Sequence, residues 1–223
     1  MKSRELLMAT AVLAVSFVSV NAFKVNPPSR LISEDGVIRS AYYDTLNILG
    51  TSNECSEFFG GPDKALDAFN DLIGKVRKEF FAPSIGIRMS GATTNVFSMK
   101  TRSKHRMFDK VSINTNGPFY RHRVAETQPS VLGIGRFQPN TREARVLMLL
   151  HELGHMVEAD GKWLLPDDGR DAELSRINTR KVEDACGDQI RNMGKGDIVV
   201  DPVEGKQQNG QTTSVEGNPE HGR

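Results

Sequence analysis

Hydrophobic residues recur at three- and four-residue steps between residues 63 and 81. Leu66, Phe69, Leu72, Ile73, Val76 and Phe80 fall on one side, with Lys64, Asp67, Asp71, Lys75 and Lys78 on the other. That period is the signature of a helix with one buried stripe, opening after Gly60-Gly61-Pro62. A shorter helix is expected over residues 40–49. Beyond Pro83 the period drops to about two. Residues 85–89, 95–99, 107–114, 119–123 and 131–137 read as strands, punctuated by Gly91, Asn116-Gly117-Pro118 and Gln128-Pro129. A mostly apolar run, Ala144 to Leu150, then restores helical character. Asn140-Thr141-Arg142-Glu143 before it has the form of a capping box, with Asn140 as N-cap. A loop rich in Gly, Pro and acids covers residues 160–169, with Trp163, Leu164 and Leu165 expected to pin it to the core. A last helix is expected over residues 180–193, opened by Asn178 or Thr179. The order helix, sheet, helix, helix predicts an α+β fold, its sheet antiparallel or mixed.

The two ends of the chain differ from this middle. Met1-Lys2-Ser3-Arg4 is basic, residues 6–20 are apolar, and Val20-Asn21-Ala22 ends in small residues. The apolar stretch is too short for a comfortable membrane span and has the form of a secretory signal cut after Ala22. From Gly194 the chain is rich in Gly, Gln, Asn and Glu and loses its apolar pattern, so residues 194–223 are expected to be disordered. That leaves a single domain over residues 23–193. The protein is expected to be secreted or periplasmic, with no membrane association once the signal is removed. Lys plus Arg number 29 and Asp plus Glu 28, a balance that argues against nucleic acid or an anionic membrane as partner. In an exported chain the two cysteines, Cys55 and Cys186, are expected to pair as a disulfide.

The apolar run leads into His151-Glu152-Leu153-Gly154-His155. Residues four apart share a helix face, so His151 and His155 can offer two imidazole nitrogens to one Zn²⁺. Glu152 is then placed to act as general base toward a water that the metal activates. Gly154 weakens the helix by roughly 1 kcal/mol but leaves room for another segment to approach closely.

The five-residue word resembles the zincin superfamily of metallopeptidases. The stretch from Gly135 to Gln189 is also similar to a group of exported bacterial proteins with the same metal helix, an acidic Gly loop and a Leu-Ser-x-x-Asn-Thr helix start. The resemblance implies a zincin-like fold, with the small sheet packed on the metal helix, a second helix after it, and a strand near the metal, 131–137 or a neighbour, pairing with extended peptide. It also implies a third protein ligand. The metzincin extension is absent, because Glu158 stands where that pattern has glycine and Gly161 where it has histidine. The aspzincin-like scheme takes an acid from the loop after the motif helix, which points to Asp168. The gluzincin-like scheme takes one from the following helix, which points to Glu183. Asp160, Asp167, Asp171 and Glu173 are lesser candidates. Tyr120, His122 and His105 are available as oxyanion donors, although no sequence signal selects any of them.

The function expected is therefore an exported zinc-dependent peptidase acting on a peptide or protein substrate, with Glu152 as catalytic base. The alternative is a non-catalytic exported metal-binding or interaction domain that keeps the motif helix for its fold.

Overall fold

Helical spacing between residues 40 and 49 extends further back than the apolar positions suggest. The computed structural model describes residues 30–122, 134–169 and 171–194. The expected signal, the tail beyond Gly194 and part of the 131–137 segment lie outside these. A short helix α1 (Arg30–Glu34) is followed by α2 (Gly36–Leu49). Asp35 sets the start of α2, its carboxylate accepting from the backbone N–H of Val37 and Ile38 at 2.9 and 3.1 Å. Ile38, Ala41, Tyr42, Thr45 and Leu49 form its buried stripe. Helix α3 (Glu54–Phe58) carries Cys55.

The amphipathic segment forms α4 (Pro62–Gly74), which is shorter than its periodicity predicts. After Gly74 the chain turns and becomes strand β1 (Val76–Glu79). Val76 is buried in the sheet instead of on the helix stripe, and Phe80 is 73% exposed. Glycine is a poor helix former, and parallel pairing of β1 with a distant strand, Val76 opposite Val111, decides the matter. No local period reveals that pairing.

The expected strands at 85–89 and 95–99 are one strand, β2 (Ile87–Ser98). Its partner β3 (Ser103–Asn114) runs antiparallel, and the register shifts between Ser90 and Thr93. Gly91 lies in that bulge with φ +90°, where a Cβ would come within 2.9 Å of the Asp109 side chain. The sheet order is β1-β3-β2, and the sheet is mixed. Residues 119–122 form no strand. Phe119 packs in the core behind a turn in which Tyr120 N–H donates to the Gly117 carbonyl. Of the 131–137 segment, Ile134 and Phe137 close a two-residue turn around Gly135 and Arg136 by backbone hydrogen bonds of 3.0 Å each way.

Helix α5 (Arg142–Met156) runs through the middle of the fold. Its cap is Thr141, not Asn140: the Thr141 hydroxyl accepts from Ala144 N–H at 3.2 Å. Asn140 sits one residue outside in the left-handed region, φ 62°, with its carbonyl accepting from Arg145. Val146, Leu147, Leu149, Leu150 and Leu153 are fully buried. A hairpin follows, β4 (Glu158–Ala159) and β5 (Lys162–Trp163). Then comes α6 (Ala172–Arg191), which packs along α5. It begins eight residues before the expected start because Asp171 caps it, accepting from Glu173 and Leu174 N–H at 3.0 Å. Asn178 and Thr179 therefore lie inside the helix, and Asn178 is fully buried.

A disulfide joins Cys55 on α3 to Cys186 on α6 across 131 residues of chain. The architecture is α+β: among the described residues there are six helices and two small sheets, with a core shared by α2, α4, α5, α6 and the inner face of the larger sheet. Among the described residues, no helix is long and apolar enough to cross a membrane.

Candidate metal centre

The motif lies in the last two turns of α5, so the helix fixes His151 and His155 on one face. Both are buried, with ring centroids 4.9 Å apart. What they face is set by the next fifteen residues. Asp160 and Gly161, both at positive φ, turn the β4–β5 hairpin. Leu164 N–H donates to the Val157 carbonyl at 2.9 Å, and Leu165 N–H to the Gly154 carbonyl at 3.0 Å. The chain thus folds back along the end of α5. Leu165 lies fully buried over Gly154, where a Cβ would meet its Cδ1 at 2.5 Å. Asn178 from α6 donates to the Pro166 carbonyl at 2.9 Å. Two residues later Asp168 reaches the histidines.

His151 Nε2 is 3.1 Å from Asp168 Oδ2 and 3.1 Å from His155 Nε2, and His155 Nε2 is 3.5 Å from the same carboxylate oxygen. Ligands at zinc distances of about 2.0–2.1 Å in a tetrahedron stand about 3.3–3.4 Å from one another. The three separations bracket that edge, so the donor atoms fit one face of a zinc tetrahedron and leave the fourth position to a small molecule. A hydrogen-bonded cluster without metal fits less well: if both Nε2 atoms carry protons toward Asp168 they meet each other donor to donor, and if only one does, the other nitrogen meets the carboxylate acceptor to acceptor. Thr179 Oγ1 lies 3.0 Å from His151 Nδ1. A hydroxyl accepting there keeps the proton on Nδ1 and frees the Nε2 lone pair. His155 Nδ1 is buried and has no hydrogen-bond partner among the described residues.

The electrostatics follow from this packing. Burial favours a neutral Asp168, but hydrogen bonds and charge from His151 and His155 outweigh it and hold the carboxyl well below the usual range. Burial likewise opposes a charged His155, and Asp168 and Glu152 overcome it, so its pKa is raised. Glu152 sits partly buried beside the two imidazoles and Asp168. Its pKa is raised by desolvation, with His151 and His155 pulling the other way and Asp168 adding to the rise.

Of the two acids considered for the third position, the structure brings only Asp168 to the histidines. Glu183 is buried elsewhere on α6. Its carboxylate accepts from Arg136 N–H at 3.3 Å and pairs with the Arg136 guanidinium. Asp160 turns the hairpin, Asp171 caps α6, and Glu173 pairs with Arg176. The donors considered for an oxyanion are also committed: Tyr120 donates to Asp35 at 2.9 Å, and His105 Nε2 meets Asp71 at 2.7 Å. His122 is exposed.

Sequence reasoning missed Arg106. This buried side chain on β3 donates from Nε to the His155 carbonyl and from both terminal nitrogens to Asp167, with the Nη1 contact at 3.1 Å. Its partners lie 49 and 61 residues away, so nothing near residue 106 could have marked it. Thr179 is visible as a polar residue, but its place before the helix expected over residues 180–193 marks it as a cap. No family model matches the chain, and no curated protein and no solved structure matches it either.

Proposed function

We propose that this chain is an exported, zinc-dependent peptidase of zincin type. The observation that carries the reading is the convergence of His151 Nε2, His155 Nε2 and Asp168 Oδ2 within 4.8 Å of one another, with Glu152 one residue after the first histidine. His151, His155 and Asp168 would hold the metal. When bound, zinc supplies Lewis acidity that brings the pKa of water toward neutrality and polarises a carbonyl.

The chain's own groups do the rest. Glu152 accepts the proton of the attacking water and returns it to the departing amine, as a single carboxylate can do in both steps of peptide hydrolysis. Thr179 keeps His151 in the tautomer that presents Nε2. His151, His155 and Leu165 are buried, and charge interactions of buried groups are stronger than in water. Export is supported by the N-terminal pattern and by the Cys55–Cys186 bond, which suits an oxidising compartment.

The test is a comparison of wild type with Glu152→Gln, using a mixed peptide library read by mass spectrometry and zinc content read by elemental analysis. Wild type should carry about one zinc per chain and cleave peptides; the variant should keep the zinc and lose cleavage. Zinc-loaded wild type that cleaves nothing would leave a non-catalytic metal-binding domain as the function.

A further inference from the structure

We infer that Arg106 is a positioning residue of the metal centre: its guanidinium ties the end of the motif helix to the acidic loop and so sets where the Asp168 carboxylate stands. This rests on the metal-site reading above. Arg106 is 6% exposed and uses three nitrogens on two targets. Nε donates to the carbonyl of His155, itself one of the three converging residues. Nη1 and Nη2 donate to the two carboxylate oxygens of Asp167, the neighbour of Asp168. The guanidinium also lies over the Trp163 ring, 4.6 Å from its centroid, and so between the hairpin and the helix it returns to.

Other contacts hold the loop on either side of this point. Leu165 and Pro166 are fixed by backbone and Asn178 hydrogen bonds, and Asp171 N–H donates to the Asp168 carbonyl at 2.7 Å. Between them, the side-chain tie at Asp167 determines how the chain enters residue 168. A planar fork can satisfy a helix carbonyl and a carboxylate together; an ammonium on a flexible stem cannot do so in the same geometry. Asp167 itself is 65% exposed, so its contribution to the core is small, and its role can be separated from folding.

The experiment measures zinc affinity by competition with a chromogenic chelator for wild type, Arg106→Lys, Asp167→Asn, the double variant and Asp160→Asn. Melting temperatures of the metal-free proteins are recorded alongside, with absorption spectra of the Co²⁺-substituted forms. Asp160→Asn removes the same charge from the same loop without touching the clamp. We expect Asp167→Asn and Arg106→Lys each to weaken zinc binding 10- to 100-fold, the range for groups that orient ligands. We also expect shifted cobalt bands, a double variant little worse than either single one, and an unchanged metal-free melting temperature for Asp167→Asn. Asp160→Asn should bind zinc as wild type does. The inference is overturned if Asp167→Asn matches wild type in affinity and cobalt spectrum, or if Asp160→Asn loses as much. Should Arg106→Lys fail to fold, Asp167→Asn alone decides. A wild type that binds no zinc fails the metal reading itself, a result distinct from wild-type binding that the clamp leaves unmoved.

Discussion

Helix α5 and the loop behind it contribute the two halves of one site, and they are specified in different ways. Four-residue spacing on a regular helix brings His151 and His155 to one face, and the helix itself follows from Thr141 at its start and the apolar run inside it. Asp168 has no such local rule. It arrives through a chain of distant contacts: Leu165 against Gly154, the Pro166 carbonyl on Asn178, Asp167 on Arg106. A helix delivers side chains by its period, whereas a loop delivers them by whatever holds its backbone. The helical half of a site can therefore be read from a sequence, and the loop half must be found by packing.

The sharpest way to break this comparison is to remove the acid that the loop supplies. Asp168→Ala should lower zinc affinity well beyond the 10- to 100-fold expected for an orienting group, and His155→Ala should do the same. Glu183→Ala should leave affinity within tenfold of wild type, because its carboxylate is engaged with Arg136. Chelator competition measures all three. Equal, mild losses from Asp168→Ala and Glu183→Ala would place the third donor elsewhere and undo the assignment.

How far the sequence could be read follows the same division. The motif helix, the α+β class, the buried stripe of α4 and the Cys55–Cys186 bond were legible, since each rests on a local period or a compositional rule. Asp168 and Glu183 could not be separated, because both are acids downstream of the motif and their difference lies in partners 17 and 47 residues away. The end of α4 was misplaced for a related reason. Val76 and Phe80 continue the helical spacing, but pairing of residues 76–79 with β3 outweighs it. Asn178 and Thr179 resemble caps because small polar residues compete for backbone groups at helix starts. Here their side chains are turned instead to Pro166 and His151.

Two further variants test whether packing around α5 holds the loop. Replacing both cysteines by alanine releases a closure of 131 residues. The chain-entropy argument puts its loss at about 5 kcal/mol, and measured losses of native disulfides run about 2–5 kcal/mol. Denaturant unfolding should show a drop in that range; an unchanged midpoint would mean that the bond adds nothing to stability. Gly154→Ala should cost less, up to about 2 kcal/mol net. Alanine favours the helix by roughly 1 kcal/mol, but its Cβ would sit 2.5 Å from the fully buried Leu165 Cδ1, and overpacking of that kind outweighs the propensity gain. A more stable Gly154→Ala protein would show that Leu165 does not press on the helix as described.

The smallest effect concerns where α5 begins, the one local feature of the helical half that sequence pattern placed one residue early. If Asn140 were the cap, Thr141 would be the first helical residue, and alanine there would be neutral or slightly stabilising. With Thr141 as the cap, its hydroxyl accepts the Ala144 N–H, and Thr141→Ala should destabilise the protein by about 1 kcal/mol. The sign alone separates the two arrangements, so a thermal melt is enough. The His151–His155–Asp168 cluster lies at the other end of the helix, more than two turns from this cap. Zinc affinity should therefore stay unchanged while the melting temperature falls, and a parallel loss of affinity would mean that the start of α5 is coupled to its last turns.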